Sequence, residues 1–154
     1  MKIVQFMNTD LTRVRPDTDF ATLLATHAST ETRHTYVVDE AGHLKGVVTN
    51  LDMLKRMVPS YLTSTLASSI SDGAELIRKR FEECKHLTAA DVMQRDFLLL
   101  NTEDTLIEAD VHLHEGRYNA LPVVDSAGIL VGDIDRRVIL KHIAVDICGL
   151  PAKA

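Results

Sequence analysis

Apolar and polar positions follow one pattern twice along the chain. A short apolar run ends at Val38, the segment Asp39-Glu40-Ala41-Gly42 follows, and a second apolar run continues to Val48. The same arrangement returns 86 residues later, and residues 37–46 and 123–132 are identical at seven of ten positions. A repeat of this length and spacing predicts two copies of one structural unit.

Each copy is expected to contain a strand, a helix, two strands and a helix, in that order. The Asp-x-Ala-Gly segment is typical of a hairpin turn, in which Gly adopts a positive φ, and the flanking apolar runs are typical of buried strands. In the first copy, the pattern predicts a strand over 10–15, a helix from Phe20 that has ended by Ser29, the hairpin, and a helix over 51–57 stopped by Pro59. In the second copy, it predicts a strand over 97–100, a helix over 105–115 ended by Gly116, the hairpin, and a helix over 136–148. The predicted fold class is therefore α+β.

The segment between the copies differs in composition and is expected to be a linker. Residues 60–71 are rich in Ser and Thr, and Asp72-Gly73-Ala74-Glu75 has the form of a helix start. The helix that follows has one apolar stripe, which predicts that it lies across the domain surface. We therefore divide the chain into a first motif over 1–59, a linker with a surface helix over 60–86, and a second motif over 87–150.

Composition and charge narrow the class of protein. The 154 residues carry a net charge of −5, 5% aromatic residues and no tryptophan, which argues against a nucleic-acid-binding surface. No apolar run approaches the ~20 residues of a membrane helix, so no membrane contact is expected. The cysteines Cys84 and Cys148 have no paired spacing, so both are expected to be reduced thiols of a cytoplasmic protein.

The repeated unit resembles the cystathionine-β-synthase-type (CBS) domain. In the second copy, the resemblance rests on Asp-Val-Met-Gln-Arg-Asp at 91–96 and on Leu-Pro-Val-Val-Asp at 121–125. In the first copy, where Tyr36 stands in place of the proline, it rests on the hairpin and on residues 46–52. The tandem pair is similar to a stand-alone Bateman module. This resemblance implies two CBS motifs packed through their sheets with pseudo-twofold symmetry.

The segment Gly46-Val47-Val48-Thr49-Asn50-Leu51-Asp52 carries the candidate chemistry. At the start of a helix, the first amide groups are unpaired and favour an anion. Thr49 offers a hydroxyl donor to a phosphate oxygen, and the carboxylate of Asp52 accepts hydrogen bonds from the hydroxyls of a ribose. Gly46 permits close approach of a backbone. Thr-x-x-Asp is also the pattern of a capping box, with Thr49 as the N-cap, so a purely structural role is the alternative.

The resemblance implies an adenine nucleotide as the ligand of this segment. The family's nucleotide motif is Gly, two apolar residues, Ser or Thr, two variable residues and Asp, and the first copy keeps it, with Asn50 at the first variable position. In the family, the adenine lies against the backbone just before the second strand, which here is formed by Arg33, His34, Thr35 and Tyr36. The implied ligand is AMP, ADP or ATP.

The second copy departs from this motif. Asp135 stands where the first copy has Thr49, and Val138 stands where it has Asp52. A carboxylate at the phosphate position repels an anion, and the ribose acceptor is missing, so one nucleotide site per chain is expected. Arg136 is expected either to reach the ligand of the first site or to be a solvated surface arginine.

Neither a metal site nor a catalytic site is indicated, because the seven histidines lack zinc-site spacing and no nucleophile motif is present. We therefore expect a regulatory module, not an enzyme, that binds an adenine nucleotide, needs no cofactor, and acts by conformational change on an unidentified partner protein or on its own assembly. The alternative is a ligand-free dimerisation or scaffold module. The helices over 51–58 and 138–147 are apolar on more than one side, which predicts a homodimer built from them.

Overall fold

The computed structural model describes residues 1–153 as an α+β fold with two three-stranded sheets. The strands are β1 (Thr12–Val14), β2 (Thr35–Val38), β3 (Leu44–Val48), β4 (Leu100–Asn101), β5 (Ala120–Val124) and β6 (Leu130–Asp135). The helices are α1 (Phe20–Ser29), α2 (Asn50–Met57), α3 (Ser64–Ser68), α4 (Ala74–Cys84), α5 (Ala89–Val92), α6 (Leu106–Gly116) and α7 (Arg136–His142). A 3-10 turn at Ile3–Gln5 precedes them, and a π-helical turn at Ile143–Ile147 follows α7. The predicted fold class and the predicted order of elements in each copy are confirmed.

The two sheets have the same topology. β2 lies between β1 and β3 in one sheet, and β5 lies between β4 and β6 in the other. β1 runs parallel to β2, with Thr12 opposite Thr35, and β4 runs parallel to β5. The two hairpin turns place Gly42 and Gly128 at φ values of 92° and 81°. The positive φ that the Asp-x-Ala-Gly pattern predicts is therefore present in both copies.

The chain divides into two compact units that do not coincide with the two repeats. The first-repeat unit contains Thr12–Val37 and Lys45–Arg95, and the second-repeat unit contains Met1–Leu11, Val38–Leu44 and the chain from Asp96 onward. In the first-repeat unit, the backbone of Gln94 pairs with Val47 of β3 through hydrogen bonds of 2.8 and 3.0 Å. In the second-repeat unit, Asn8 pairs in the same way with Asp133 of β6, at 2.9 Å in both directions. The residues before the first strand of each copy therefore extend the sheet of the other copy.

Each unit has its own buried core. The segment that precedes the first strand of the other copy contributes to that core. An added Cβ at Gly46 would lie 2.3 Å from Met93 Sδ, and one at Gly132 would lie 2.5 Å from Met7 Sδ, so each glycine makes room for a methionine. The first core includes Phe20, Leu23, Val37, Val48, Met53, Met57 and Met93. The second core includes Ile3, Leu100, Leu113, Leu121, Val123, Ile134 and Ile139.

Several element ends differ from the sequence-based expectation. The helix predicted over 136–148 ends at His142 and is followed by the π-helical turn. α4 is capped by Gly73 at φ 72° and not by the side chain of Asp72, so the proposed capping pattern is not formed there. β4 is shorter than predicted, because only Leu100 and Asn101 pair with β5. α6 includes Gly116, and the left-handed residue that ends it is Arg117, at φ 55°.

The linker forms two helices. α3 buries none of its residues, and α4 contributes Cys84 to the first core and leaves Ile77 41% exposed. Cys84 and Cys148 are both free thiols, and the second is exposed. No helix within residues 1–153 combines the length and the apolar character that a membrane span requires.

Candidate functional site

Thr49 and Asp52 form a complete capping box at the start of α2. Thr49 Oγ1 accepts a hydrogen bond from the Asp52 backbone N–H at 3.2 Å, and Asp52 Oδ2 accepts from the Thr49 backbone N–H at 2.8 Å and from its hydroxyl at 2.9 Å. The side-chain amide of Gln94 donates to Oδ1 and Oδ2 of Asp52 at 2.9 and 3.1 Å. The structural interpretation of the Thr-x-x-Asp pattern is therefore realised in the fold.

Capping does not use up the hydrogen-bonding capacity of this pair. Within residues 1–153, Oδ1 of Asp52 accepts only from Gln94, and a carboxylate oxygen has two lone pairs, so Oδ1 keeps room for a hydroxyl donor. The single hydroxyl hydrogen of Thr49 is directed to Asp52, so donation to a phosphate requires that hydroxyl to rotate. The geometry is compatible with a ligand that binds Asp52 through Oδ1 and Thr49 after this rotation.

Asn50 and Thr35 are joined through a histidine on α1. His27 Nδ1 lies 2.8 Å from Thr35 Oγ1, and His27 Nε2 lies 2.7 Å from Asn50 Oδ1. His27 is 7% exposed and Thr35 is fully buried, whereas Asn50 is exposed. The sequence predicted no role for His27 in the site. The sequence does contain a signal for this role, because His27 follows Phe20 and Leu23 at helical spacing and is therefore a polar residue on the buried side of α1.

The segment at the start of β2 presents one exposed side chain. Arg33 is exposed, whereas His34, Thr35 and Tyr36 are at most 5% exposed. The rings of His34 and Tyr36 meet edge to face, with centroids 6.2 Å apart. A ligand at this segment therefore has the Arg33 side chain available to it.

Gly46 lies in β3 of the same unit, next to the backbone pairing of Val47 with Gln94. The close approach that it permits is taken by the side chain of Met93, whose Sδ, Cγ and Cβ all lie within 2.7 Å of the place where a Cβ would be. Its role in this structure is to let the segment at 93–94 join the sheet.

Arg136 lies in the second-repeat unit at the position equivalent to Asn50. It donates hydrogen bonds to the backbone carbonyl oxygens of Tyr118 at 3.0 Å and Leu113 at 3.2 Å, so it satisfies groups at the C-terminal end of α6. Asp135 caps α7 by accepting from the Val138 N–H at 2.8 Å. Both residues therefore have structural partners within their own unit.

A cavity of about 590 Å³ lies beside Arg136 in the second-repeat unit. It is lined by His114, Glu115, Arg117, Asn119 and Arg136. Among residues 1–153, no cluster of three or more His, Cys, Asp or Glu side chains is arranged to hold a metal ion.

Comparison with protein families gives two matches to one family model, described as the CBS domain, over residues 3–59 and 89–145. Together these ranges cover most of the chain. Among curated proteins, no sequence matches this chain significantly.

Solved structures with the same fold cover nearly the whole chain. A crystal structure of CBSX2 in complex with AMP has a TM-score of 0.71 and 25% identity, and the match covers 96% of this chain and 98% of that one; CBSX2 is a CBS-pair protein from Arabidopsis thaliana. The CBS domain of a CBS domain-containing membrane protein from Sphaerobacter thermophilus has a TM-score of 0.68 and 28% identity over 92% of this chain and 86% of that one. The cytosolic domain of the Mg²⁺ channel MgtE in complex with ATP has a TM-score of 0.61 and 23% identity over 88% of this chain and 46% of that one.

Proposed function

The chain belongs to the CBS-domain family, and on that premise we propose that it is a regulatory module that binds one adenine nucleotide in its first-repeat unit. The observation that carries the proposal is the intact motif from Gly46 to Asp52, which begins α2 in a fold shared with a CBS-pair protein in complex with AMP. The proposed mode of action is binding and not turnover.

Each part of an adenine nucleotide has a matching group in this unit. The N-terminal amides of α2, with the donors of Thr49 and Asn50, suit the phosphate. Oδ1 of Asp52 suits a ribose hydroxyl, and the adenine is proposed to lie at the segment from Arg33 to Tyr36, where the Arg33 side chain is exposed. AMP is the first ligand to test because the CBSX2 complex contains it, with ADP and ATP as the alternatives. A contact of Arg136 with this ligand stays a prediction.

The binding of a nucleotide has to be separated from the capping role of the same residues. The chain offers a matched control in Thr88 and Asp91, which form a second capping box at the start of α5 in the same unit, with Asp91 Oδ2 at 2.8 Å from the Thr88 N–H and 3.1 Å from its hydroxyl. Asp52→Ala and Asp91→Ala each remove the acid of one box, so each should lose the stability of its cap, and Asp52→Ala also removes the partner of Gln94. Only Asp52→Ala removes a proposed ligand contact.

Calorimetric titration with AMP, ADP and ATP tests the proposal. We expect a stoichiometry near one for the wild type and for Asp91→Ala, and loss of binding for Asp52→Ala. The preferred nucleotide at ~100 times its dissociation constant should raise the free energy of unfolding by about 2.7 kcal/mol. Two equivalent sites per chain, or equal binding by both variants, would contradict the assignment. Absence of binding by the wild type would favour the ligand-free scaffold module.

We propose the effect of ligand binding only in general terms. Ligand binding acts through conformational change on a partner protein or on a homodimer of the chain itself. A cytoplasmic location is proposed because Cys84 and Cys148 are free thiols, which a reducing compartment maintains.

A further inference from the structure

One buried polar network in the first-repeat unit connects three elements around the proposed site. It runs from Thr35 on β2 through His27 on α1 to Asn50 at the start of α2, with distances of 2.8 and 2.7 Å. His27 is 7% exposed, and each ring nitrogen of a buried imidazole that lacks a partner costs stability. The network ends at the surface, because Asn50 is exposed.

The chemistry of these groups fixes the direction of the hydrogen bonds. Asn50 Oδ1 is only an acceptor, so Nε2 of His27 carries the hydrogen in that contact. A neutral imidazole has one N–H and one bare nitrogen, so Nδ1 accepts from the hydroxyl of Thr35. With its oxygen held by His27, the amide of Asn50 has two N–H donors left, and its nitrogen does not accept.

The side-chain amide of Asn50 lies where its donors can add to the anion preference of the helix start. Asn50 is the first residue of α2, where unpaired backbone N–H groups already favour an anion. An amide that offers only donors adds to this preference, whereas one free to rotate would offer its oxygen to the same place for part of the time. Fixing the amide therefore favours a ligand with acceptor oxygens and disfavours one that lacks them.

The second copy makes the equivalent connection without an imidazole. The positions 86 residues after His27 and Asn50 are Leu113 and Arg136, and the Arg136 guanidinium donates to the backbone carbonyl of Leu113. The fold of the repeat therefore accepts leucine at this buried position. His27 is not required by packing alone, and what it adds in the first copy is control of the Asn50 side chain.

We propose that His27 is a positioning residue of the nucleotide site, which holds Asn50 as a hydrogen-bond donor for a phosphate oxygen and so favours nucleotides over the phosphate-free nucleoside. This inference rests on the proposed function. It adds a specificity determinant that acts through another residue, since His27 itself is buried.

The test compares AMP with adenosine in calorimetric titrations of His27→Leu, His27→Gln, Asn50→Ala and the double variant His27→Leu/Asn50→Ala. His27→Leu should weaken AMP about ten-fold and leave adenosine unchanged. His27→Gln keeps an N–H donor near Asn50 and should recover most of the loss. Once Asn50 is absent, His27→Leu should cause no further loss, so the double variant should bind AMP as Asn50→Ala does.

A matched control is His142→Leu. His142 is also 7% exposed and has partners at both ring nitrogens, Asp146 and Met1, but it lies in the second-repeat unit. The His142→Leu variant should lose stability and keep the wild-type affinity for AMP. Losses that simply add in the double variant, or that are equal for AMP and adenosine, would assign His27 a purely structural role and overturn the inference.

The polarity is measured separately by ¹⁵N NMR of His27 in the nucleotide-free wild type, which does not depend on any variant folding. The Nε2–H tautomer is expected, and an Nδ1–H tautomer would overturn the inference. A wild type that binds AMP together with a His27→Leu variant of unchanged affinity contradicts the positioning role alone. A wild type that binds no nucleotide contradicts the proposed function, and the tautomer still decides whether His27 fixes the amide.

Discussion

At the scale of single residues, the Thr-x-x-acid pattern marks helix starts in this chain more reliably than it marks a ligand. It forms a capping box at Thr49, at Thr88 and at Thr105, although only the first lies in the proposed site. Asp52 differs from the other two acids in its contact with the amide of Gln94, 42 residues away in the chain. The caps could be predicted because they depend on neighbouring residues, and the Gln94 contact could not because it depends on the tertiary fold.

The capping acids make stability depend on pH in the acid range. Hydrogen bonds from the backbone and side chain of Thr88 hold the pKa of Asp91 below its ordinary value of 3.8, and Thr22 does the same for the pKa of Asp19. Because the pKa is lower in the folded state, this stabilisation is complete above the unfolded pKa and is lost as the pH falls through the folded one. Asp19→Asn/Asp91→Asn should therefore lose less stability than the wild type as the pH falls below about 4. Melting curves across that range check this, and parallel pH profiles for the two proteins would contradict it.

At the scale of elements, periodicity located α1, α2, α6 and α7 but not the short α5, and local backbone geometry set the ends. Gly116 was expected to end α6 in the left-handed conformation, but the ring of Tyr118 occupies the space where its Cβ would be, and Gly116 stays helical. Arg117 adopts the left-handed conformation instead. A glycine near a helix end has two possible uses, close packing and positive φ, and the sequence does not say which one applies.

The end of α6 provides a paired test of this assignment. Arg117→Gly should stabilise the protein by about 0.5–1 kcal/mol, because it removes the strain of a left-handed side chain, partly offset by the greater freedom of glycine in the unfolded chain. Gly116→Ala should destabilise it, because the new Cβ would lie 2.2 Å from Tyr118 Cε2. Urea unfolding of both variants measures the two changes. A stabilising Gly116→Ala would contradict the packing of Tyr118 against Gly116.

At the scale of the whole molecule, the repeat predicted the strands of both copies. It did not predict that Asn8 pairs with Asp133 of β6 or that Gln94 pairs with Val47 of β3. Met7 and Met93 are 86 residues apart, as the repeated segments are, and they pack in the same way in the two units, against Gly132 and Gly46. Each works in the sheet of the other copy, since 1–11 groups with the second repeat and the segment up to Arg95 groups with the first. A single bridge between distant segments leaves no periodic signal, so the pattern could not assign these partners. The motif boundaries at 59 and 87 stay a prediction.

Exposed apolar side chains on the helix after each hairpin support the proposed homodimer. On α2, Leu51 and Leu54 are 58% and 57% exposed, and on α7 Leu140 is 64% exposed. Ile107 of α6, 72% exposed, lines a groove of about 290 Å³ together with Leu140. Ile143, by contrast, is half-buried and packs against the second core, so a charge there tests folding more than assembly. Leu54 and Leu140 are the better positions for a test.

The wild type is expected to have the mass of a dimer in light scattering at tens of micromolar protein. Leu54→Glu or Leu140→Glu should convert it to a folded monomer, because each places a charge on an apolar surface that a second copy would cover. Leu66→Glu on α3 is the matched control, since Leu66 is 48% exposed but lies in the linker, and it should leave the dimer intact. Circular dichroism separates dissociation from unfolding. A monomeric wild type, with and without AMP, would refute the dimer, and loss of the dimer in Leu66→Glu alone would move the interface to the linker.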